Sequence, residues 1–184
     1  MASFLDLRGG YRSLRVYRVT EVIYDITFYF TRHFLKVGDR TVDQMVQAAR
    51  SGKQNIAEGS SASGTSIETE IKLTNVARAS LQELLVDYED YLRFRGLKLW
   101  GKTRPRFEGL RRYVKSDNFF NEYSEMIRKL SGEEICNLAI TLIHQSDYML
   151  RRLLERQQER FVKDGGVRER MTKVRLEYRK KISD

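Results

Sequence analysis

The chain of 184 residues carries 34 Lys and Arg against 25 Asp and Glu, giving a formal net charge of +9 and a pI near 9.7. Its 41% hydrophobic content suits one folded domain with a substantial core and argues against a disordered chain. One proline and few alternating segments point to helix, and no apolar run approaches the roughly 18 residues of a membrane span.

A basic surface gathers polyanions, nucleic acid most often; the blander alternative is charge that serves solubility alone. The lone Cys136 rules out an internal disulfide and suits a reducing cytoplasm, the expected location. Residues 1–10 end in Gly9-Gly10 and include Asp6, so they read as a loose arm and not as a signal peptide.

From about Leu14 to Phe34, the residues Val16, Val19, Ile23, Ile26, Phe30 and Phe34 recur at threes and fours, predicting one long amphipathic helix. Tyr17, Tyr24 and Phe28 widen its apolar face. Gly38-Asp39 then turns the chain into a second helix over Thr41–Gly59. Thr41 and Gln44 are spaced as a capping box, Val42, Met45, Val46, Ala49 and Ile56 mark the buried stripe, and Gly59 reads as the terminator. Ala48, Ala49, Ser51 and Gly52 give this helix a small flank, which another backbone can approach closely. A short connection, SSASG, leads to Thr65 and Glu68, a second capping-box pair that starts a helix of about Ser66–Arg95. Its seam is Ala77, Leu81, Leu84, Tyr88 and Tyr91, with Gly96 as the stop.

Residues 93–118 differ in character, with many cations, only two acids (Glu108 and Asp117) and three glycines around the single proline, Pro105. Arg104, Arg106, Arg111, Arg112 and Lys115 are candidate phosphate contacts, interleaved with Trp100, Phe107 and Tyr113. Such aromatics either stack bases or anchor a long connection to the core, and anchoring is the slightly favoured reading. Phe119 to Leu130 then predict a short amphipathic helix. Ser131 and Glu134 form a third capping box, opening a long helix with Ile135, Ala139, Leu142, Ser146, Met149 and Leu153 inward. Asp164-Gly165-Gly166 ends it. A last basic helix has a thin apolar stripe, and its Arg168, Arg175, Arg179 and Lys180 form a second candidate set of phosphate contacts. It suits nucleic acid, the body of the protein or a partner chain better than a membrane, because the stripe lacks Trp and Phe.

The expected architecture is all-α, an antiparallel up-down four-helix bundle over residues 1–160 followed by a suffix helix over 161–184. No cofactor or metal is expected: His33, His144 and Cys136 are the softer ligands on offer, and their spacing is wrong for a site. His144 and Asp147 stand three apart on one helix, yet no nucleophile accompanies them, so no enzymatic activity is expected. Asn55 and Glu58 read either as polar contacts to a ligand or subunit, or as chemistry local to a helix end.

The segments VYRVTEVIYDIT, DQMVQAARSGKQNIAEGS and VARASLQELLVDYEDYLRFRGL carry a resemblance. With NIAEG at Asn55–Gly59 and the A-R-x-S-x-x-E pattern at Ala77, Arg78, Ser80 and Glu83, the chain from about Leu14 to Leu154 resembles the four-helix bundle proteins encoded within intervening sequences of bacterial 23S rRNA genes. The resemblance implies a structural role for Asn55, Glu58, Gly59, Arg78 and Glu83, and assembly into a homopentameric ring. It assigns no catalytic activity. A more distant likeness, to the accessory variability determinant of diversity-generating retroelements, implies a basic ring that binds nucleic acid. This chain has Gly52-Lys53 where the common form has Ile-Pro, and it adds the basic connection and the suffix. The resulting expectation is a non-enzymatic, homo-oligomeric binder of RNA or DNA; the alternative is a protein-interaction adaptor that docks through the suffix helix.

Overall fold

A computed structural model describes residues 10–101 and 105–183, and among them it is all-helical. A short 3-10 turn, Tyr11–Ser13, precedes α1 (Arg15–Phe34), α2 (Arg40–Ala62) and α3 (Ile67–Phe94). The connection carries α4 (Pro105–Tyr113) and α5 (Asp117–Met126), followed by a 3-10 turn at Ile127–Lys129. The chain continues through α6 (Gly132–Asp164) to α7 (Val167–Ser183). Among the described residues, α1, α2, α3 and α6 share one core, each packed on two of the others. The loose arm expected at the N-terminus lies outside the described residues, apart from Gly10.

The apolar periods locate these helices correctly, because each stripe has a surface to bury against. Val19, Ile23, Ile26 and Phe30 of α1 meet Ala77, Leu81, Leu84 and Tyr88 of α3 and Ile135, Ala139 and Leu142 of α6 in the interior. Five threonines are also buried among the described residues. In α1, the hydroxyls of Thr20 and Thr27 donate to carbonyls of the preceding turn, and Thr27 also accepts from the Tyr88 hydroxyl at 2.9 Å. Their polar atoms are thereby satisfied without water.

The helix ends correct the sequence reading in three places. Asp39, not Thr41, caps α2, its carboxylate accepting from the Thr41 backbone N–H at 2.9 Å. Gly59 does not terminate α2, which runs on to Ala62 and absorbs part of the connection expected at SSASG. Ser66, not Thr65, caps α3 by accepting from Thr69. By contrast, the Ser131–Glu134 capping box is complete in both directions, and Gly96 leaves α3 at φ +65°.

Gly59 is retained for its lack of a side chain. A Cβ there would stand 3.3 Å from Leu73 Cβ, and one on Gly52 would stand 2.7 Å from Leu81 Cδ2. Two turns apart on one face of α2, these glycines let α3 lie closely against it. The small flank of Ala48, Ala49 and Gly52 is thus buried within the chain, so it supplies no subunit contact. Of the aromatics that widen the face of α1, Tyr17 is buried, Tyr24 half-buried and Phe28 exposed, while Phe30 lies 5.1 Å from Tyr88 and 4.8 Å from Tyr91 between ring centroids.

At the far end of α3, a polar group is buried between helices. Gln157 of α6 donates to Glu70 Oε1 at 3.1 Å and to Thr74 Oγ1 at 3.0 Å, and Arg160 pairs with the same carboxylate of Glu70. Beyond it, α6 continues to Asp164, and Gly165 at φ +68° breaks the helix before α7.

Candidate nucleic-acid interface

The connection is fixed to α6 before α4 begins. Asn137 Oδ1 accepts from the Trp100 backbone N–H at 2.7 Å, and its amide donates to Lys98 O at 2.9 Å. The Trp100 indole N–H donates to Glu133 Oε1 at 2.9 Å. Trp100 is therefore an anchor, buried and unable to stack a base, as the favoured reading of the connection holds. Pro105 opens α4 at the first helical position, where its fixed φ and missing N–H cost nothing. Val114 buries the far end of α4, and the Lys115 carbonyl accepts from the Arg15 guanidinium of α1.

Held in this way, α4 leaves two cavities against its neighbours. One, of about 330 Å³, is almost wholly apolar and is lined by Trp100, Leu110, Tyr113, Met126, Leu130 and Leu138, with Gly109 and Glu134 at its edge. The other, of about 270 Å³, lies between α4 and α6 and is mixed in character. Phe107, Arg111, Val114 and Lys115 form one wall; Thr141, His144, Gln145 and Tyr148 form the other. The side-chain oxygen of Gln145 is buried there without a hydrogen-bond partner among the described residues. Tyr148 stands at the rim, 66% exposed.

The predicted contacts divide around this groove. Arg111 and Lys115 line it, and the Arg111 guanidinium lies 5.7 Å from the Phe107 ring centroid and 3.2 Å from Glu108 Oε1. Arg112 is exposed on α4 outside the lining. Arg106 lies in α4, but its side chain, like all of Arg104, is outside the described residues. Arg168, Arg175, Arg179 and Lys180 are exposed along α7. The chain leaves α6 for α7 at Gly165–Gly166, beside Glu68 of α3. That point is about 25 Å along the helix axis from Tyr148, at about 1.5 Å per residue. The start of α7, with Arg168, therefore lies well away from the groove along α6.

Three of the five motif residues, Asn55, Gly59 and Arg78, serve the joining of the helices instead. Asn55 donates to Ser51 O at 2.9 Å and to Ser51 Oγ at 3.0 Å, and Ser51 Oγ meets Ser80 Oγ at 2.8 Å, linking α2 to α3. Arg78 reaches Asp147 of α6. Glu58 and Glu83 are exposed, and Glu58 has no hydrogen bond or ion pair among the described residues. Chemistry local to a helix end does not account for Glu58, because α2 ends four residues further on, at Ala62.

The His144–Asp147 pairing weighed from spacing is not made. The Asp147 carboxylate goes to Arg78, Gln82 and Arg151, while His144 faces the groove. Among the described residues, no group of three or more His, Cys, Asp and Glu could hold a metal ion, and no helix is long and apolar enough to cross a membrane. Gln145 and Tyr148 escaped the sequence reading. Thr141, Gln145, Tyr148 and Arg152 do recur at fours and threes, a second stripe on α6 offset from the inward seam. That stripe gains meaning only once α4 lies beside it. No protein-family model, curated protein or solved structure matches this chain.

Proposed function

We propose that the protein is a non-enzymatic, basic helical-bundle protein that binds RNA or DNA through phosphate contacts. The observation that carries this reading is α7, a basic helix whose Arg168, Arg175, Arg179 and Lys180 stand exposed outside the core. Exposed cations on a chain of net charge +9 attract polyanions and displace their condensed counterions. Arg111, Arg112 and Lys115 add a second basic area on and beside α4.

The proposed arrangement of the four long helices is antiparallel and up-down. Contacts between α3 and α6 run Glu70–Gln157, Arg78–Asp147 and Tyr91–Gly132, rising along one helix as they fall along the other. Contacts of α2 with α3 do likewise, from Gly52–Leu81 to Gly59–Leu73. This order agrees with the resemblance to the rRNA intervening-sequence proteins, from which homo-oligomer formation, pentameric by that likeness, and a cytoplasmic location are also proposed. Light scattering at micromolar concentration tests the assembly, and a monomer counts against it.

Fluorescence anisotropy with labelled RNA and DNA at two salt concentrations tests the binding. Log affinity should fall against log salt with a slope of about −0.7 to −0.9 per phosphate neutralised. No binding at low salt rules the reading out. A second reading, an adaptor docking on a protein through α7, is favoured by the exposure of Met171, Leu176, Tyr178 and Ile182 on that helix. It requires that deletion of residues 167–184 remove a captured protein partner while nucleic-acid binding is absent or unchanged.

A further inference from the structure

The groove between α4 and α6 is built differently from a patch that meets phosphates alone. Phosphate recognition needs exposed cations and nothing more. Here the cations Arg111 and Lys115 stand beside a recess of about 270 Å³ walled by aromatic and apolar side chains. Pockets for drug-sized ligands run from roughly 300 Å³ upward, so this one suits a single planar ring system better than a whole nucleotide.

Two details of the lining narrow the occupant. Tyr148 keeps 66% of its surface in solvent at the rim of the groove, and Phe107 offers a second ring on the facing wall. Exposed rings beside cations are the elements on which single-stranded nucleic acid stacks. The Gln145 side-chain oxygen, buried without a partner among the described residues, is an acceptor in search of an N–H donor. The exocyclic amines and ring imino groups of nucleobases are such donors.

We propose that this groove takes an unpaired nucleobase, stacked on Tyr148 and hydrogen-bonded to Gln145, with the flanking phosphates on Arg111 and Lys115. The preferred ligand is accordingly single-stranded. In a duplex the same base edges are already paired and the faces already stacked, so neither is offered to the recess. This rests on the nucleic-acid reading above and adds the strand state and the residues that read it.

The test uses the full chain with a labelled single-stranded oligonucleotide and the same oligonucleotide annealed to its complement, at one low salt concentration. The single strand should bind at least about tenfold more tightly. Tyr148→Ala should weaken single-strand binding by about 5- to 150-fold, the range for losing one stacked base, while duplex affinity stays unchanged. Because Tyr148 is largely exposed, that variant should melt with the parent, which a thermal scan verifies. Gln145→Leu should alter the order of affinities across homopolymer strands. Equal affinity for the two forms, or a single-strand preference that Tyr148→Ala leaves untouched, overturns the proposal and leaves phosphate binding standing. Absence of binding to either form at low salt removes both.

Discussion

Arg78 of α3 donates through Nε to Asp147 Oδ1 of α6 at 2.7 Å, and the same carboxylate takes Arg151 at 2.8 Å and Gln82 at 3.2 Å. Asp147 is only 13% exposed, so its charge relies on these donors where water is scarce. Arg78→Ala should cost about 1–3 kcal/mol in urea unfolding, short of the cost of a fully stranded charge because two donors remain. Arg78→Lys should recover part of that loss, since a point charge replaces the directed guanidinium.

The α2–α3 seam gives a sharper contrast. A Cβ on Gly52 would lie 2.7 Å from Leu81 Cδ2 and 2.9 Å from its Cγ, and Leu81 is fully buried and cannot swing away. Overpacking of this kind costs about 1–3 kcal/mol and outweighs the gain in helix propensity, about 1 kcal/mol. Gly52→Ala should therefore lower stability. Gly109→Ala, in α4 with nothing within 4 Å of the new methyl, should raise it by about 0.5–1 kcal/mol. Thermal melts of the two variants should move in opposite directions.

Three tyrosines predict alkaline sensitivity. Burial, the hydrogen bond donated to Glu122 and that carboxylate's charge push Tyr113 up to about 12. Burial, then the hydrogen bond to Asp25, raises Tyr123, and burial raises Tyr88. Each phenol is held neutral in the folded state, so its contribution is complete below the unfolded value of about 10. It is lost as pH rises through the folded values. The urea midpoint should fall from about pH 10 upward, and Tyr123→Phe should flatten that fall. Phenolate absorbance should reveal tyrosines that ionise only as the protein unfolds.

Cys136 is fully buried in α6, and burial pushes its thiol well above the ordinary range. At neutral pH, an aromatic disulfide reagent should leave the native protein unmodified and react with one thiol per chain in urea. Rapid modification without denaturant would show that the N-terminal end of α6 opens.

The core was legible in the sequence to a large degree, because amphipathic periods report burial directly. Ala77, Leu81, Leu84 and Tyr88 were named from spacing alone, and all four are fully buried. Helix ends were less legible where polar residues adjoin: Thr65 and Ser66 can both cap, and one backbone turn decides between them. Gly59 was misread for a related reason. Its local tendency is to end a helix, and only its packing on Leu73 shows why it continues one. The groove was least legible, since Gln145 and Tyr148 are 34 to 41 positions from Phe107 and Arg111 in the chain and meet them only through the docking of α4.

The buried group formed by Glu70, Thr74, Gln157 and Arg160 bears on how α6 finds its place. Apolar stripes of Leu, Ile and Ala are nearly periodic, so α6 shifted by one turn along α3 could still cover most of the same oily surface. Such a slip would pull Gln157 away from both Glu70 and Thr74 and leave their polar atoms without partners in a dry contact. The group therefore acts as a vernier mark that makes one longitudinal setting of the pair far better than its neighbours. Through the same rigid helix, it sets the height at which Thr141, Gln145 and Tyr148 are presented to α4.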